Sequence, residues 1–171
     1  MNWDLATDVI LYASFAMLAV FACLGLVQLI QRKSLKKVDK PILAMLVPLV
    51  LIVVTYIIFD KILIWNTRPD GSGEPSFPST HVMVVATIFA IIALALPKYL
   101  KKSTYLTVDA VMLIFLIITA VGRVLANKHW PSDVIGGLIF AGLFTLIYYL
   151  IIRRNQNANQ HPEPSTKPSN K

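Results

Sequence analysis

Long apolar runs dominate this chain, and short polar blocks separate them. Five runs approach the roughly 20 residues that an α-helix needs to cross a bilayer. They lie near Val9–Ile30, Pro41–Phe59, Thr80–Leu96, Thr104–Val121 and Asp133–Ile152. The pattern predicts an all-α integral membrane bundle of about five transmembrane helices, with a membrane-embedded domain over residues 1–154. The third and fourth runs are the shortest and are expected to meet a polar vestibule. Residues 155–171 are rich in Asn, Gln, Pro, Ser and Lys, lack apolar side chains to bury, and are expected to form a disordered tail.

Composition supports the membrane reading. Of 171 residues, 56% are hydrophobic and only 15% charged, where a soluble domain would be nearer a quarter charged. A net charge of +7 does not point to nucleic acid, because the basic residues sit between apolar spans rather than on one soluble face. The lone Cys23 lies inside an apolar run and has no metal-ligand spacing.

Twelve of the sixteen Lys and Arg residues fall in three segments: 31–40, 97–103 and the region after Ile152. Five spans place these segments on one side, and the positive-inside rule makes that side the cytoplasm. The N-terminus is then outside, in the cytoplasmic membrane of a cell, and the C-terminus inside. Met1–Asp8 carries Asp4 and Asp8 but no Lys or Arg, and the apolar run after it is too long for a signal peptide, so an uncleaved anchor is expected.

The other four basic residues, Lys61, Arg68, Arg123 and Lys128, lie in or beside the two outer loops, where topology does not explain them. Three belong to polar blocks: Lys61 with Arg68-Pro69, Pro78-Ser79-Thr80-His81, and Arg123 with His129 and Asp133. Ionisable groups beside a bilayer are costly and usually mark function. Arg68 and Arg123 offer planar forks and Lys61 a point charge to phosphate oxygens. Ser79 or Thr80 is a candidate cap at the start of the third span, where free amides suit an anion. Asp133 stands one turn into the last span and is expected to fold back on His129, fixing its tautomer and freeing the other nitrogen to attack. Residues 70–77 are expected to form an outer loop that lips over the site. A metal site is disfavoured, since three cations would repel a bound cation and no third His or Cys ligand is present. No cofactor is expected.

The three blocks resemble the signature of the type 2 phosphatidic acid phosphatase (PAP2) superfamily, which includes membrane lipid phosphatases. That signature reads Lys-x6-Arg-Pro, Pro-Ser-x-His and Ser-Arg-x5-His-x3-Asp, and all spacings match here. Two positions depart: Gly122 stands where the family has Ser, and Thr80 where it often has Gly. The membrane members usually have six spans, so one N-terminal span is missing relative to them.

The resemblance implies a metal-free hydrolase. His129 would attack phosphorus, Asp133 orient it, and His81 protonate the leaving oxygen and then activate water. Lys61, Arg68, Ser79, Thr80 and Arg123 would bind the phosphoryl group. The expected partner is a lipid phosphate or diphosphate in the bilayer, with undecaprenyl diphosphate favoured and phosphatidylglycerophosphate or phosphatidate as alternatives. A lipid phosphotransferase and a non-catalytic phosphate-binding membrane protein are the readings of another class.

Overall fold

A computed structural model describes residues 2–160, with side chains as far as Arg154. Among these residues are six α-helices: α1 (Trp3–Arg32), α2 (Lys40–Ala44), α3 (Leu46–Ile57), α4 (Thr80–Ala95), α5 (Lys102–Leu125) and α6 (Pro131–Gln160). Five helical segments are long and apolar enough to cross a membrane, with α2, α3 and a π-helical turn at Ile58–Ile62 making one of them. The fourth span is longer than expected, at 24 residues.

The break between α2 and α3 follows from Pro48. Proline has no amide hydrogen, and its ring crowds the carbonyl four residues back, here Ala44, the last residue of α2. α6 runs six residues past the expected boundary at Arg154. The remainder of the expected tail, 161–171, lies outside the described residues.

α4 is the central helix. Two thirds of its spanning window is buried, against a third or less for every other span. Val82, Met83, Val85, Ile88, Ile91 and Ile92 are fully enclosed, and α1, α3, α5 and α6 all pack against it. The surrounding helices turn large apolar side chains outward, among them Leu5, Tyr12, Val50, Leu113, Ile139 and Leu146. In water such a surface would drive aggregation; against lipid tails it is solvated. Cys23 is also on this outer surface.

The basic segments gather at one end of the bundle. There Asp39 accepts hydrogen bonds from Gln28 Nε2 at 3.0 Å and Tyr99 Oη at 2.8 Å, and pairs with Lys98 at 2.9 Å and Arg32 at 3.3 Å. Burial pushes the Asp39 carboxyl up, but the bonds from Lys98, Tyr99 and Gln28 hold it well below the usual carboxylate range. One carboxylate thus ties α1 to the turns before α2 and after α4. The polar blocks meet at the opposite end.

Candidate active site

The first block leaves the membrane on the π turn and continues into a narrow loop. Arg68 N bonds Glu74 O at 3.0 Å and Ser76 N bonds Asn66 O at 2.9 Å, forming a short hairpin. Its tip uses Gly71 and Gly73 at φ of 77° and 75°, backbone that side chains other than glycine seldom adopt. Three contacts pin this loop to the third block: Lys128 Nζ to Asp70 at 3.0 Å, Trp130 Nε1 to Thr67 O at 2.9 Å, and His129 Nδ1 to Ser76 O at 2.8 Å. Asp70 and Glu74 hold this loop in shape. Hydrogen bonds from Ser72 and then from Lys128 keep Asp70 ionised far below its usual range.

The second block caps α4. Ser79 is the N-cap residue, wholly buried, and its backbone N–H donates to Asp133 O at 2.9 Å. The first intrahelical bond runs from Met83 N to Ser79 O at 2.9 Å, so the amides of Thr80, His81 and Val82 have no intrahelical acceptor. Gly137 of α6 permits this contact, because a Cβ there would stand 2.8 Å from Ser79 O.

The third block spans the α5–α6 connection. His129 is buried at 4% exposure, and Asp133 is fully buried. Arg123 is also buried, at 3%. Asn127, at φ 56°, turns the chain between them.

His81, His129, Arg68, Ser76 and Thr80 share the wall of one cavity of about 270 Å³. Leu11, Phe15, Tyr56, Phe59, Phe77, Met83 and Val84 form the rest of it with Asp60 and two prolines, so the lining is part polar and part apolar. Four buried polar atoms of these blocks and their loop have no hydrogen-bond partner among the described residues: Arg68 Nε and Ser76 Oγ on residues of the cavity wall, Ser79 Oγ between the wall residues Pro78 and Thr80, and Arg123 Nε, whose guanidinium acts on both histidines without lining the cavity. Buried donors without partners are rare in folded proteins. Here they come from three different segments, and all four suit the oxygens of one anion.

His129 is held differently from the expectation. Asp133 Oδ2 lies 3.8 Å from Nδ1, too far for a hydrogen bond. It is taken by Trp130 N at 2.9 Å, closing the first turn of α6 after Pro131. The Ser76 carbonyl fills the orienting role instead. A carbonyl only accepts, so Nδ1 carries the proton and Nε2 keeps its lone pair. Burial first, and then the Arg123 guanidinium, lower the imidazole to about 4, against the raising effect of Ser76 and Asp133. The ring is therefore neutral at neutral pH.

Lys61 also departs from the expectation. It is mostly exposed, pairs with Asp60 at 2.6 Å, and does not line the cavity. The π turn is wider than an α turn, and it is Asp60 that it brings to the cavity wall.

Asp4, Thr7 and Asp8 of α1 join the site without having been picked out as site residues. Arg123 Nη1 meets Asp4 at 2.7 Å, Thr7 Oγ1 at 3.3 Å and Asp8 at 3.9 Å. His81 Nε2 lies 2.8 Å from Asp8. The signal was present: two acids one turn apart share a helix face, at the N-terminal end of a span. α1 comes this close because residue 122 is glycine. A Cβ there would lie 2.7 Å from Thr7 Cγ2 and 3.3 Å from the Trp3 ring. The serine hydroxyl expected at 122 is absent, and a threonine hydroxyl from α1 reaches Arg123 instead.

A helical membrane bundle with two histidines and Arg68 on the wall of one cavity, and Arg123 beside it, is a site built for an anion, with apolar walls that fit a lipid-borne one. Residues 56–157 match the PAP2 superfamily, and the chain belongs to it. It is 35% identical over 79 residues to a lipid A 1-phosphatase of Rhizobium etli and 36% identical over 70 residues to one of Porphyromonas gingivalis. These segments are 46% and 41% of this chain but only 30% and 15% of those proteins, so the chain spans under a third of the length of these curated relatives. The fold is similar to that of a transmembrane PAP2 type phosphatidylglycerolphosphate phosphatase from Bacillus subtilis. The TM-score is 0.64 at 21% identity, covering 88% of this chain and 75% of that one. The membership and this likeness agree with the expected family and fold.

Proposed function

We propose that this multi-pass membrane protein is a metal-independent phosphatase that hydrolyses a lipid phosphate or diphosphate through a phosphohistidine. The observation that carries the reading is a cavity that two histidines share, with the unpartnered buried atoms Arg68 Nε and Ser76 Oγ on its wall residues and Ser79 Oγ and Arg123 Nε on residues beside it. Nε2 of His129 is the nucleophile. Attack forms an N–P bond and breaks the P–O bond to the leaving group, whose oxygen takes a proton from His81. His81 then accepts a proton from water as the water's oxygen attacks phosphorus, breaking the N–P bond and releasing phosphate. Phosphoryl transfer depends mainly on alignment and on countering charge at the equatorial oxygens. Arg68, Arg123 and the amides of Thr80 and His81 provide that counter-charge. Lys61 joins only if the π turn rotates and releases it from Asp60. Asp133 supports the imidazolium through space and carries Ser79 by its carbonyl.

The apolar part of the lining, Leu11, Phe15, Phe59 and Phe77 among it, suits the first methylenes of a lipid. Undecaprenyl diphosphate at the extracytoplasmic face is the favoured substrate, on the charge asymmetry of the loops. The lipid A 1-phosphatase relatives favour a second substrate reading, a lipid-borne sugar 1-phosphate.

Purified protein in detergent should release phosphate from a panel of undecaprenyl diphosphate, phosphatidylglycerophosphate, phosphatidate and lipid A, unaffected by EDTA. His129→Ala should abolish release. Turnover lost to EDTA refutes the metal-free reading, and no release from any lipid refutes the phosphatase.

A further inference from the structure

The carboxylates of α1 have no place in the chemistry above, yet they stand against its cations. A carboxylate beside a phosphate site weakens phosphate binding by like-charge repulsion, so its presence calls for a compensating role. The groups around His81 divide clearly. Asp8 and Asp4 face it from α1 and Arg123 from α5, while Arg68, Asp60 and His129 share its cavity. Of these, Asp8 alone hydrogen-bonds the ring among the described residues, at 2.8 Å to Nε2. Asp4 is directed at Arg123 instead.

We propose that Asp8 is the positioning residue for His81, holding its Nε2–H so that Nδ1 is the atom that gives and takes the proton. The inference rests on the phosphatase reading and deepens it. An ionised carboxylate only accepts hydrogen bonds, so the nitrogen facing it must carry hydrogen in every state of the cycle. The imidazolium gives its Nδ1 proton to the leaving oxygen as the P–O bond breaks. What remains is the Nε2–H tautomer, whose Nδ1 lone pair then takes the proton from water. The two histidines are thereby set as opposites. An acceptor pins Nδ1 of His129 and leaves Nε2 to attack, and an acceptor pins Nε2 of His81 and leaves Nδ1 to exchange protons.

The test compares full-chain wild type with Asp8→Asn, Asp8→Glu and Asp4→Asn in detergent. The substrates are a long-chain alkyl phosphate, whose leaving oxygen needs a proton, and 4-nitrophenyl phosphate, whose leaving group does not. General acid catalysis contributes about 10²- to 10⁴-fold. Loss of its positioning should therefore lower kcat/KM, which reports the step that expels the leaving group, at least about tenfold on the alkyl phosphate and by less than about threefold on the aryl phosphate. Asp8→Glu, which keeps the acceptor, should recover much of the loss. Asp4→Asn should act mainly on KM, through Arg123. In parallel, the ¹⁵N spectrum of labelled protein, with His81 assigned by its loss in His81→Gln, should show the Nε2–H tautomer in wild type and a mixture in Asp8→Asn.

Equal losses of kcat/KM on both substrates overturn the proposal. So does a lower KM at unchanged kcat in Asp8→Asn, which would make Asp8 a mere competitor of phosphate. An Nδ1–H tautomer in wild type also overturns it. If wild type hydrolyses neither these substrates nor any lipid of the panel above, the phosphatase reading itself fails, and the catalytic role of Asp8 with it. The tautomer measurement then still decides whether Asp8 holds His81.

Discussion

Gly137→Ala tests whether the close approach of α6 to the start of α4 positions the site. A Cβ at 137 would stand 2.8 Å from Ser79 O, 3.2 Å from Met83 N and 3.4 Å from Val82 Cβ. An ordinary contact to carbon needs roughly 3.4 Å or more, so α4 or α6 must yield by about half an ångström. The first two atoms are backbone and cannot rotate away. Ser79 O also accepts from Met83 N, and Ser79 N donates to Asp133 O, both at 2.9 Å. The shift therefore strains the first turn of α4 and its link to α6 together. Overpacking of this kind costs about 1–3 kcal/mol. Displacing Thr80 and His81 by half of the 1 Å that can cost 10²-fold should lower kcat/KM about tenfold. The control is Gly142→Ala, where the new Cβ meets nothing within 4 Å, and which should gain up to about 1 kcal/mol from helix propensity. Thermal unfolding in detergent and phosphate release per folded molecule are the assays. A Gly137→Ala protein that melts and turns over like Gly142→Ala refutes the reasoning.

Three further outcomes follow from the same geometry. His129 has a folded value of about 4 against about 6.5 unfolded, so the unfolded chain binds the extra proton first; stability is full above pH 6.5 and falls by about 3 kcal/mol as pH drops to 4. Unfolding curves across that window should show a slope that His129→Gln reduces, and an unchanged slope refutes the burial argument. Gly122→Ser should push α1 off α5, since its Cβ meets Thr7 at 2.7 Å, lowering the melting temperature and costing about 1–3 kcal/mol despite restoring the family residue; a rise in melting temperature would contradict it. Asp39→Ala removes the shared acceptor of Gln28, Tyr99 and Lys98 and should cost about 2 kcal/mol in thermal or denaturant unfolding, with kcat of the surviving fold within about twofold because the site lies at the other end.

Much of this protein was determined by order along the chain. Apolar runs of bilayer length must become helices, because lipid offers no partner for an open backbone, and their lengths located all five spans. The spacing of Arg68, His81, Arg123 and His129 placed them at span ends on one face, and they do stand at one end of the bundle. Gly71 and Gly73 act locally, within the loop expected at residues 70–77, whereas Pro48, equally local, breaks a run that was expected to be continuous over Pro41–Phe59. What tertiary structure alone decided is which acceptor each side chain meets. The four-residue step from His129 to Asp133 suggested a hydrogen bond, but closing the first turn of α6 draws Asp133 to Trp130 N, and the Ser76 carbonyl from another loop takes Nδ1. Lys61 lost its place at the cavity to Asp60 through a π turn that no residue pattern announces. Asp4 and Asp8 stand more than 110 residues from Arg123 and about 73 from His81 in sequence. Their entry into the site depends on how closely α1 packs at Gly122. Helix formation is a local consequence of apolar runs and backbone satisfaction, whereas pairing across helices depends on distances that only the packed bundle sets.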